Sequence, residues 1–234
     1  ACELAVQGVG AFSNTVTPAE FAEQQAVLAD AVNVRVGAGL HPWWVGEYDV
    51  AADWDRLYSL VARNRFIGEV GLDFSSAHIA TRKAQVDALA CVAHACARTG
   101  DKVLSVHAVR AVDQVLDVLE HASVFGGMTG NACIIHWFSG TSDQLTRARR
   151  TGCYFSVNPR MLQSKRGRAY AQAIPVDRLQ LETDEPASAG APWSAARVRK
   201  LLEETLTQLA VLRGDDPVEL RERIAQTSRT LLQR

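Results

Sequence analysis

Seven short apolar segments, each followed by a segment with helical periodicity, constrain the fold of this chain more than any other feature. The apolar segments are rich in β-branched residues and end in polar ones. They cover residues 8–13, 34–41, 66–73, 102–109, 132–139, 153–159 and 179–185. Helices are expected from residue 17, at 51–63, 81–99, 111–121, 142–151, 164–173 and 193–213, and from residue 216. Strands that alternate with helices predict βα units and a parallel sheet.

The chain has the organisation of one domain. No linker, low-complexity segment or charge block divides its 234 residues, and a chain of this length fits one large domain. We therefore predict a single domain over residues 1–234. Two helix starts are explicit in the sequence, "TPAE" at 17–20 and "DPVE" at 216–219. Each places a capping residue before a proline and adds a glutamate two residues after that proline.

Five of the predicted strands carry a side chain at or near their carboxyl end that is able to perform chemistry. These side chains are His41, Glu69, His107, His136 and Asp184. In a (β/α)8 barrel the carboxyl ends of all strands converge on one mouth, where catalytic groups collect. Strands at opposite edges of an open sheet cannot bring five such groups together. The pattern therefore favours an α/β fold of the (β/α)8 TIM-barrel type.

The number of strands falls one short of this architecture. Such a barrel needs eight strands and typically about 250 residues, whereas seven strands are predicted here in 234 residues. The opening segment "ACELAVQ" has the character of a helix that leads into a strand. We therefore expect the first strand of the barrel to precede Ala1.

The segment "FIGEVGLDF" reads as a buried strand, yet it contains the carboxylates of Glu69 and Asp73. Burial of an unpaired charge is costly, so these carboxylates require a cation of the protein or a metal ion. Two carboxylates and two imidazoles at strand ends suit Zn²⁺, Mn²⁺ or Mg²⁺. They belong to Glu69, His107, His136 and Asp184. Singly, a histidine after a strand is commonly a packed or surface residue, and Asp184 is placed to cap the next segment. Four together favour a metal site.

Charge and cysteine content narrow the class of protein. The formal net charge of -1 provides no overall attraction to nucleic acid or acidic membranes, so anion binding requires a local cluster of cations. The sequence contains no apolar run near 18 residues that predicts a membrane span. Five cysteines without a C-x-x-C pair indicate reduced thiols in a cytoplasmic protein.

The segments "GLHPWW", "GEVGLDF", "HAVRA", "IIHWFSG" and "ETDEP", in this order and at these spacings, resemble the TatD family of metal-dependent deoxyribonucleases. That family consists of amidohydrolase-like TIM barrels, and the resemblance spans essentially the whole chain. It implies two divalent metal ions (Mg, Mn or Zn) bridged by Glu69, with His107 and His136 as further ligands. It also implies that Asp184 is a ligand that takes a proton from the attacking water.

The same resemblance assigns three supporting residues. His41, in the family's G-x-H-P motif, is expected near the bound phosphate rather than as a certain ligand. Arg110 matches the arginine of the family's H-x-R pattern and would clamp a phosphate oxygen. Asp73 matches the aspartate of the G-L-D motif and would support the ligands from outside the coordination sphere.

One departure from the family pattern is serious. The family begins with a D-x-H-x-H strand whose two histidines complete the metal site, and this chain has no H-x-H sequence. We expect roughly 15–25 residues, one strand and a loop, to precede Ala1 in the natural protein. The alternative is a chain that starts at Ala1, with an open barrel and at most a half-occupied site.

Other residues near the predicted mouth have two interpretations each. Trp43 and Trp44 are placed either to stack on a nucleobase or to anchor a loop as a hydrophobic lid. The basic segment 158–168 either follows a phosphate backbone or forms a solvated helix start. The remaining histidines are expected to be packed or on the surface, and these are His78, His94 and His121.

The sequence therefore predicts a metal-dependent hydrolase that cleaves phosphodiester bonds, as an exonuclease on single-stranded DNA ends. DNA or another phosphodiester is the expected partner, and no obligate protein partner is evident. One alternative is a hydrolase of the same scaffold that cleaves an ester or amide outside nucleic acids, which the phosphate clamp at Arg110 distinguishes. The other is a non-catalytic binding protein with an incomplete metal site, which the missing H-x-H strand supports.

Overall fold

The computed structural model describes residues 1–47, 53–186 and 191–233. Seven strands form one parallel sheet in chain order, as the βα pattern predicts. The strands are β1 (Ala11–Asn14), β2 (Val34–Leu40), β3 (Phe66–Asp73), β4 (Val103–Val109), β5 (Ala132–Ile135), β6 (Tyr154–Val157) and β7 (Leu179–Leu181). All seven predicted strands are confirmed. The last residues predicted for β5 and β7 instead lie in loops at the strand ends.

Helices follow the strands along the chain. They are α1 (Cys2–Val6), α2 (Pro18–Val27), α3 (Trp54–Arg63), α4 (Arg82–Thr99), α5 (Val112–His121), α6 (Ser142–Arg150), α7 (Pro159–Gln163), α8 (Lys165–Ala173), α9 (Ala195–Arg213) and α10 (Pro217–Gln233). The predicted start of α3 at 51–52 lies outside the described residues. Helix α7 lies in the segment whose basic residues were considered as a phosphate contact. Among the described helices, none is long and apolar enough to span a membrane.

The two predicted helix starts are capped by the residues that the sequence indicates. The hydroxyl of Thr17 accepts a hydrogen bond from the backbone N–H of Glu20 at 3.2 Å. The Glu20 carboxylate accepts from the N–H of Val16 at 2.7 Å, one residue before the position that a regular capping box uses. At the start of α10, Asp216 accepts from two backbone N–H groups of the first turn.

The sheet is curled, and the end of α10 covers its amino-terminal opening. Leu231 is 1% exposed and packs in one cluster with residues from five strands. These are Phe12, Phe66, Val103, Ala132, Ile134 and Tyr154. Side chains of β1 and β6 cannot meet in one cluster on a flat sheet of seven strands, so the sheet curves into a half-barrel. All of these side chains except Ile134 lie in the first half of their strands, which leaves the carboxyl ends at the opposite opening.

Two glycines allow the strands near the candidate site to approach closely. A Cβ on Gly39 would lie 1.8 Å from the carbonyl oxygen of Thr15. A Cβ on Gly71, whose φ is +143°, would lie 2.0 Å from the carbonyl oxygen of His107. Only glycine fits at such distances. The close approach brings the polar ends of β2, β3 and β4 within reach of one another.

All five cysteines are free thiols. Cys2 is exposed and the other four are buried. Burial raises the pKa of Cys91 to about 11 and that of Cys96 to about 12. These thiols therefore stay protonated and act as small apolar groups in the core.

Candidate metal centre

The structure places each predicted site residue at the same opening of the half-barrel. His41 directly follows β2, His107 lies in β4, and His136 directly follows β5. Glu69 lies within β3, and Asp184 lies three residues after the end of β7. The parallel sheet orients all of these strands in one direction, so their carboxyl ends converge.

One set of side chains comprises His41, Glu69 and His107. Oε1 of Glu69 lies 2.9 Å from Nδ1 of His107 and 3.6 Å from Nε2 of His41. The three residues each offer one ligand atom, and these atoms lie within 4.8 Å of one another. The sequence predicted Glu69 and His107 as ligands but placed His41 near the phosphate. The geometry brings all three together.

The pKa values of these three side chains reflect burial and hydrogen-bonded contacts, which act in opposite directions. Burial acts to raise the pKa of Glu69, but hydrogen bonds with His107 and His41 hold it well below its usual range. Burial lowers the pKa of His41. Burial acts in the same direction on His107, but contacts with Asp73 and Glu69 outweigh it and raise the pKa of His107. Glu69 is therefore a charged, largely buried carboxylate that faces imidazoles.

Asp73 holds the far side of His107. Its Oδ2 lies 3.1 Å from Nε2 of His107 and accepts a hydrogen bond from the indole N–H of Trp43 at 2.7 Å. Its Oδ1 accepts from the backbone N–H of Ser75 at 2.8 Å. Burial acts to raise the pKa of Asp73, but the contacts with His107, Trp43 and Ser75 lower it. Asp73 thus contacts the ring nitrogen of His107 that does not face Glu69.

A second set of side chains surrounds His136. Its Nε2 lies 3.1 Å from Oδ1 of Asp184, and its Nδ1 lies 2.6 Å from Oε2 of Glu182. Burial acts to lower the pKa of His136, but the charge of Glu182 and the contacts with both carboxylates raise it well above its usual value. Asp184 thus contacts a histidine of the site, whereas the sequence also left open a role as a helix cap.

Glu182 is the site residue that sequence reasoning missed. Its Oε1 accepts a hydrogen bond from the side-chain amide of Asn158 at 2.8 Å, and its Oε2 accepts from the hydroxyl of Ser156. Glu182 and Asp184 are two residues apart, and in an extended segment such residues point to the same side. That spacing in "ETDEP" was the signal that could have identified Glu182.

The two sets are close enough for their charges to interact. The charge of Glu69 contributes to the raised pKa of His136, and the charge of His136 contributes to the lowered pKa of Glu69. The four predicted ligands therefore form two adjacent pairs, Glu69 with His107 and His136 with Asp184.

Comparison with known proteins identifies the family. The sequence profile described as "TatD related DNase" matches residues 2–233, almost the whole chain. This chain belongs to the TatD-related DNase family. The expected resemblance is confirmed, and with it, at the level of the family, the expectation of an enzyme that hydrolyses phosphodiester bonds.

Curated relatives of this TatD-family chain carry the name "3'-5' ssDNA/RNA exonuclease TatD". The relative from Dickeya dadantii (strain 3937) is 29% identical over 96% of this chain and 87% of its own length. The relative from Pantoea vagans (strain C9-1) is 31% identical over 83% of this chain and 76% of its own length.

Solved structures confirm the fold predicted for this TatD-family chain. A hydrolase TatD family protein from Entamoeba histolytica superposes with a TM-score of 0.77 at 16% identity, over 98% of this chain and 87% of that chain. An uncharacterized amidohydrolase from Saccharomyces cerevisiae superposes with a TM-score of 0.75 at 17% identity, over 98% and 91% of the two chains. The half-barrel therefore has the (β/α)8 TIM-barrel fold.

The donor atoms of this TatD-family chain fit a divalent metal ion. His41, Glu69 and His107 supply two imidazoles and one charged carboxylate within 4.8 Å of one another. Such a mixed set suits Zn²⁺ or Mn²⁺ better than an all-oxygen set would. Asp73 holds the second ring nitrogen of His107, as outer carboxylates do for metal-bound histidines. Of the predicted ligands, His136 and Asp184 offer a further imidazole and carboxylate beside this set.

Three non-glycine residues at this opening have left-handed backbone conformations. The φ angles are 53° at Arg110, 37° at Trp137 and 56° at Asp184. Such conformations cost about 1–3 kcal/mol each and concentrate at functional sites. Each residue lies just beyond a strand, where the chain turns away from the sheet. Arg110 is exposed and has no side-chain hydrogen bond or salt bridge to any residue that the structure describes, so its guanidinium is available to a ligand.

Two arginines of the basic segment after β6 make different kinds of contact. The guanidinium of Arg168 donates to the backbone carbonyls of Leu162 and Gln163 and so closes the end of α7. Arg160 lies over the ring of Trp137 at 5.9 Å from its centroid. Of these two, only Arg160 contacts a residue adjacent to the site.

Proposed function

We propose that this chain is a divalent-metal-dependent exonuclease that hydrolyses terminal phosphodiester bonds of single-stranded DNA. The observation that carries the proposal is the buried set of His41, Glu69 and His107, with ligand atoms within 4.8 Å, beside the pair of His136 and Asp184. Membership of the TatD-related DNase family supports it. So do the curated relatives, whose names specify exonucleases of single-stranded DNA and RNA.

We propose two metal positions with Glu69 between them. The first would be held by His41, Glu69 and His107, and the second by His136 and Asp184 with Glu69. His41 is thereby proposed as a ligand, because its Nε2 lies 3.6 Å from Oε1 of Glu69 and its ligand atom lies within 4.8 Å of that of His107. Bound divalent ions polarise a phosphoryl oxygen and lower the pKa of water towards neutrality.

Asp184 is the proposed proton acceptor. Its side chain is 27% exposed, compared with 13% for Glu69 and 12% for Glu182. A carboxylate that removes a proton from the attacking water must be reachable by that water. The contact of Asp184 with Nε2 of His136 orients the carboxylate towards the site.

Arg110 is the proposed phosphate clamp. Its exposed guanidinium lies at the end of the strand that carries His107. A guanidinium donates two parallel hydrogen bonds to phosphate oxygens and offsets the charge that develops during phosphoryl transfer. A short single-stranded end needs only such local cations, which agrees with the net charge of -1.

Three broader assignments accompany this proposal. We propose that residues 1–234 act as a single domain, that the enzyme needs no obligate protein partner, and that it works in the cytoplasm. The free thiols support the last assignment, because structural disulfides mark oxidising compartments.

The test begins with protein that has been stripped of metal by EDTA. We expect no hydrolysis of single-stranded DNA by the stripped protein, and turnover after addition of Mg²⁺, Mn²⁺ or Zn²⁺. Products sampled over time should be mononucleotides released from one end. The proposal fails if added metal restores no cleavage. In that case, retained binding of the oligonucleotide would favour the non-catalytic binding protein.

The second candidate is a hydrolase of the same scaffold that acts on a carboxyl ester or amide. Arg110→Ala separates the two, because the guanidinium is proposed to contact phosphate oxygens alone. We expect this variant to lose about ten-fold or more in kcat/KM for the oligonucleotide, with carboxyl-ester turnover unaffected. Arg221→Ala, which removes an exposed arginine on α10, is the matched control. Equal losses on both substrate classes would remove the basis of the nuclease assignment.

A further inference from the structure

Trp43 presents a large aromatic surface to solvent beside the candidate metal centre. The residue is 49% exposed, although it follows His41 and Pro42, which are both buried. It is more exposed than the tryptophans Trp44, Trp54 and Trp193, which are 36–42% exposed. Its position beside the candidate metal centre makes this exposed surface accessible to a substrate.

Two contacts hold the indole in a fixed orientation. Its N–H donates to Oδ2 of Asp73 at 2.7 Å. One of its faces is covered by the imidazole of His78, which is stacked on it with ring centroids 4.8 Å apart and planes 9° apart. The N–H edge and one face are thus occupied, while about half of the residue is exposed to solvent. The ring is pre-organised, so a ligand that stacks on it need not order it first.

The indole also lies next to two of the proposed metal ligands. Its centroid is 5.0 Å from the ring of His41 and 6.3 Å from the ring of His107. Successive nucleotides of a stacked strand are separated by about 3.4 Å. A metal ion held by these imidazoles would bind the phosphate of the substrate, so the base of the adjoining nucleotide would be within reach of the indole.

We propose that Trp43, backed by His78, forms a nucleobase-stacking subsite for the nucleotide next to the phosphodiester that is cleaved. The inference rests on the proposed function and adds to it a source of affinity that is independent of phosphate contacts. Every nucleobase has a π face, so stacking on the indole increases affinity with little preference for sequence. The subsite selects unpaired ends, because bases inside a duplex are already stacked and cannot reach the ring.

The alternative of a hydrophobic lid accounts for less of this geometry. The hydrogen bond to Asp73 anchors the loop through the N–H edge, and this anchor does not require half of the side chain to be exposed. The neighbouring Trp44 is 38% exposed, and in the part of the chain that the structure describes, no aromatic ring stacks on it. Trp44 is thus a matched tryptophan in the same loop without the features of the subsite.

The experiment compares two short single strands that differ only at the terminal nucleotide, which carries thymine in one and is abasic in the other. The quantity measured is the ratio of kcat/KM for the two substrates. We expect the wild-type protein to favour the base-containing strand by about five-fold or more. Trp43→Phe retains an aromatic face and should keep most of this preference, although it lacks the N–H for Asp73. Trp43→Ala should bring the ratio close to one, and Trp44→Ala should leave it unchanged.

Each outcome has a distinct meaning. A general loss of activity in Trp43→Ala with an unchanged ratio would overturn the subsite and leave a positioning role through Asp73. Equal hydrolysis of both strands by the wild-type protein would also overturn it, while the proposed nuclease function would stand. Hydrolysis of neither strand would refute the proposed function, and the subsite with it.

Discussion

The Nδ1 atom of His136 lies 2.6 Å from Oε2 of Glu182, and its Nε2 atom lies 3.1 Å from Oδ1 of Asp184. The imidazole is thus held at both ring nitrogens. Since Glu182 is itself bonded by Asn158 and Ser156, it is fixed in position and fixes His136 in turn. Asp184 is the more exposed of the two carboxylates, at 27% compared with 12% for Glu182.

Glu182→Gln should impair the site without unfolding the protein. The substitution preserves shape but removes the charge that orients the His136 ring and increases its basicity. We expect metal affinity and kcat to fall by roughly 10- to 100-fold, as is typical for outer partners of metal-ligating histidines. Titration calorimetry with Mn²⁺ and turnover measurements test this expectation. Unchanged metal affinity in a folded variant would show that Glu182 does not act through His136.

The contact of His107 with two carboxylates predicts a pH-dependent contribution to stability in metal-free protein. Burial acts to lower the pKa of His107, but Asp73 and Glu69 raise it above 6.5, the ordinary value. The stabilisation is therefore fully present below about pH 6.5 and is lost as the pH rises through the higher pKa of the folded state. The carboxylates, whose pKa values are lowered, contribute above about pH 4.5 and lose this contribution at lower pH.

The measurement is the difference in unfolding free energy between wild-type protein and His107→Gln, in EDTA. This difference should be largest between about pH 4.5 and pH 6.5 and should shrink towards alkaline pH. A difference that stays constant from pH 5 to pH 9 would contradict the assigned contacts.

The fold was predictable because its signals are local and repeated. Each strand is a short apolar segment bounded by turn residues, and the polar residue at its end marks the carboxyl edge of the sheet. Parallel βα units require those ends to converge, so the positions of Glu69, His107, His136 and Asp184 followed from the order of elements alone. The resemblance to the TatD family supplied their proposed roles.

The contacts between strands were less predictable. Whether His41 faces Glu69 depends on the close approach of β2 and β3, which Gly39 permits and which has no periodic signature. His78 lies in a loop, and its stacking on Trp43 depends on the path of that loop across the opening. Helix α7 was not predicted as a separate element, because five residues are too few to show helical periodicity.

Lys102 offers a test of the structure away from the site. Its buried ammonium donates to the carbonyl oxygens of Val61, Ala62 and Asn64 at 3.0, 2.8 and 2.6 Å, and so closes the end of α3. Lys102→Met leaves these carbonyls without a donor. We expect a loss of about 1–3 kcal/mol in unfolding free energy, with normal activity at temperatures where the protein is folded.

Urea denaturation measures this loss, and Lys200→Met serves as the control. Lys200 is on the surface and pairs with Glu204 within the same helix, so its replacement should change stability by less than about 0.5 kcal/mol. Similar effects of the two substitutions would show that the hydrogen bonds of Lys102 do not stabilise α3.

Glu69→Gln tests the centre of the proposed site. The carboxylate of Glu69 contacts both His107 and His41 and interacts with the charge of His136, so it links the two proposed metal positions. We expect Glu69→Gln to lower both turnover and Mn²⁺ affinity by more than roughly 100-fold, the upper end of the effect of removing an outer partner of a ligand. Circular dichroism should show an intact fold, because the amide fills the same volume.

Glu23→Gln, which changes an exposed glutamate on α2, should leave both turnover and Mn²⁺ affinity unaltered. Turnover near the wild-type rate in Glu69→Gln would place the metal ions elsewhere, and the role of His41 as a ligand would have to be abandoned with it.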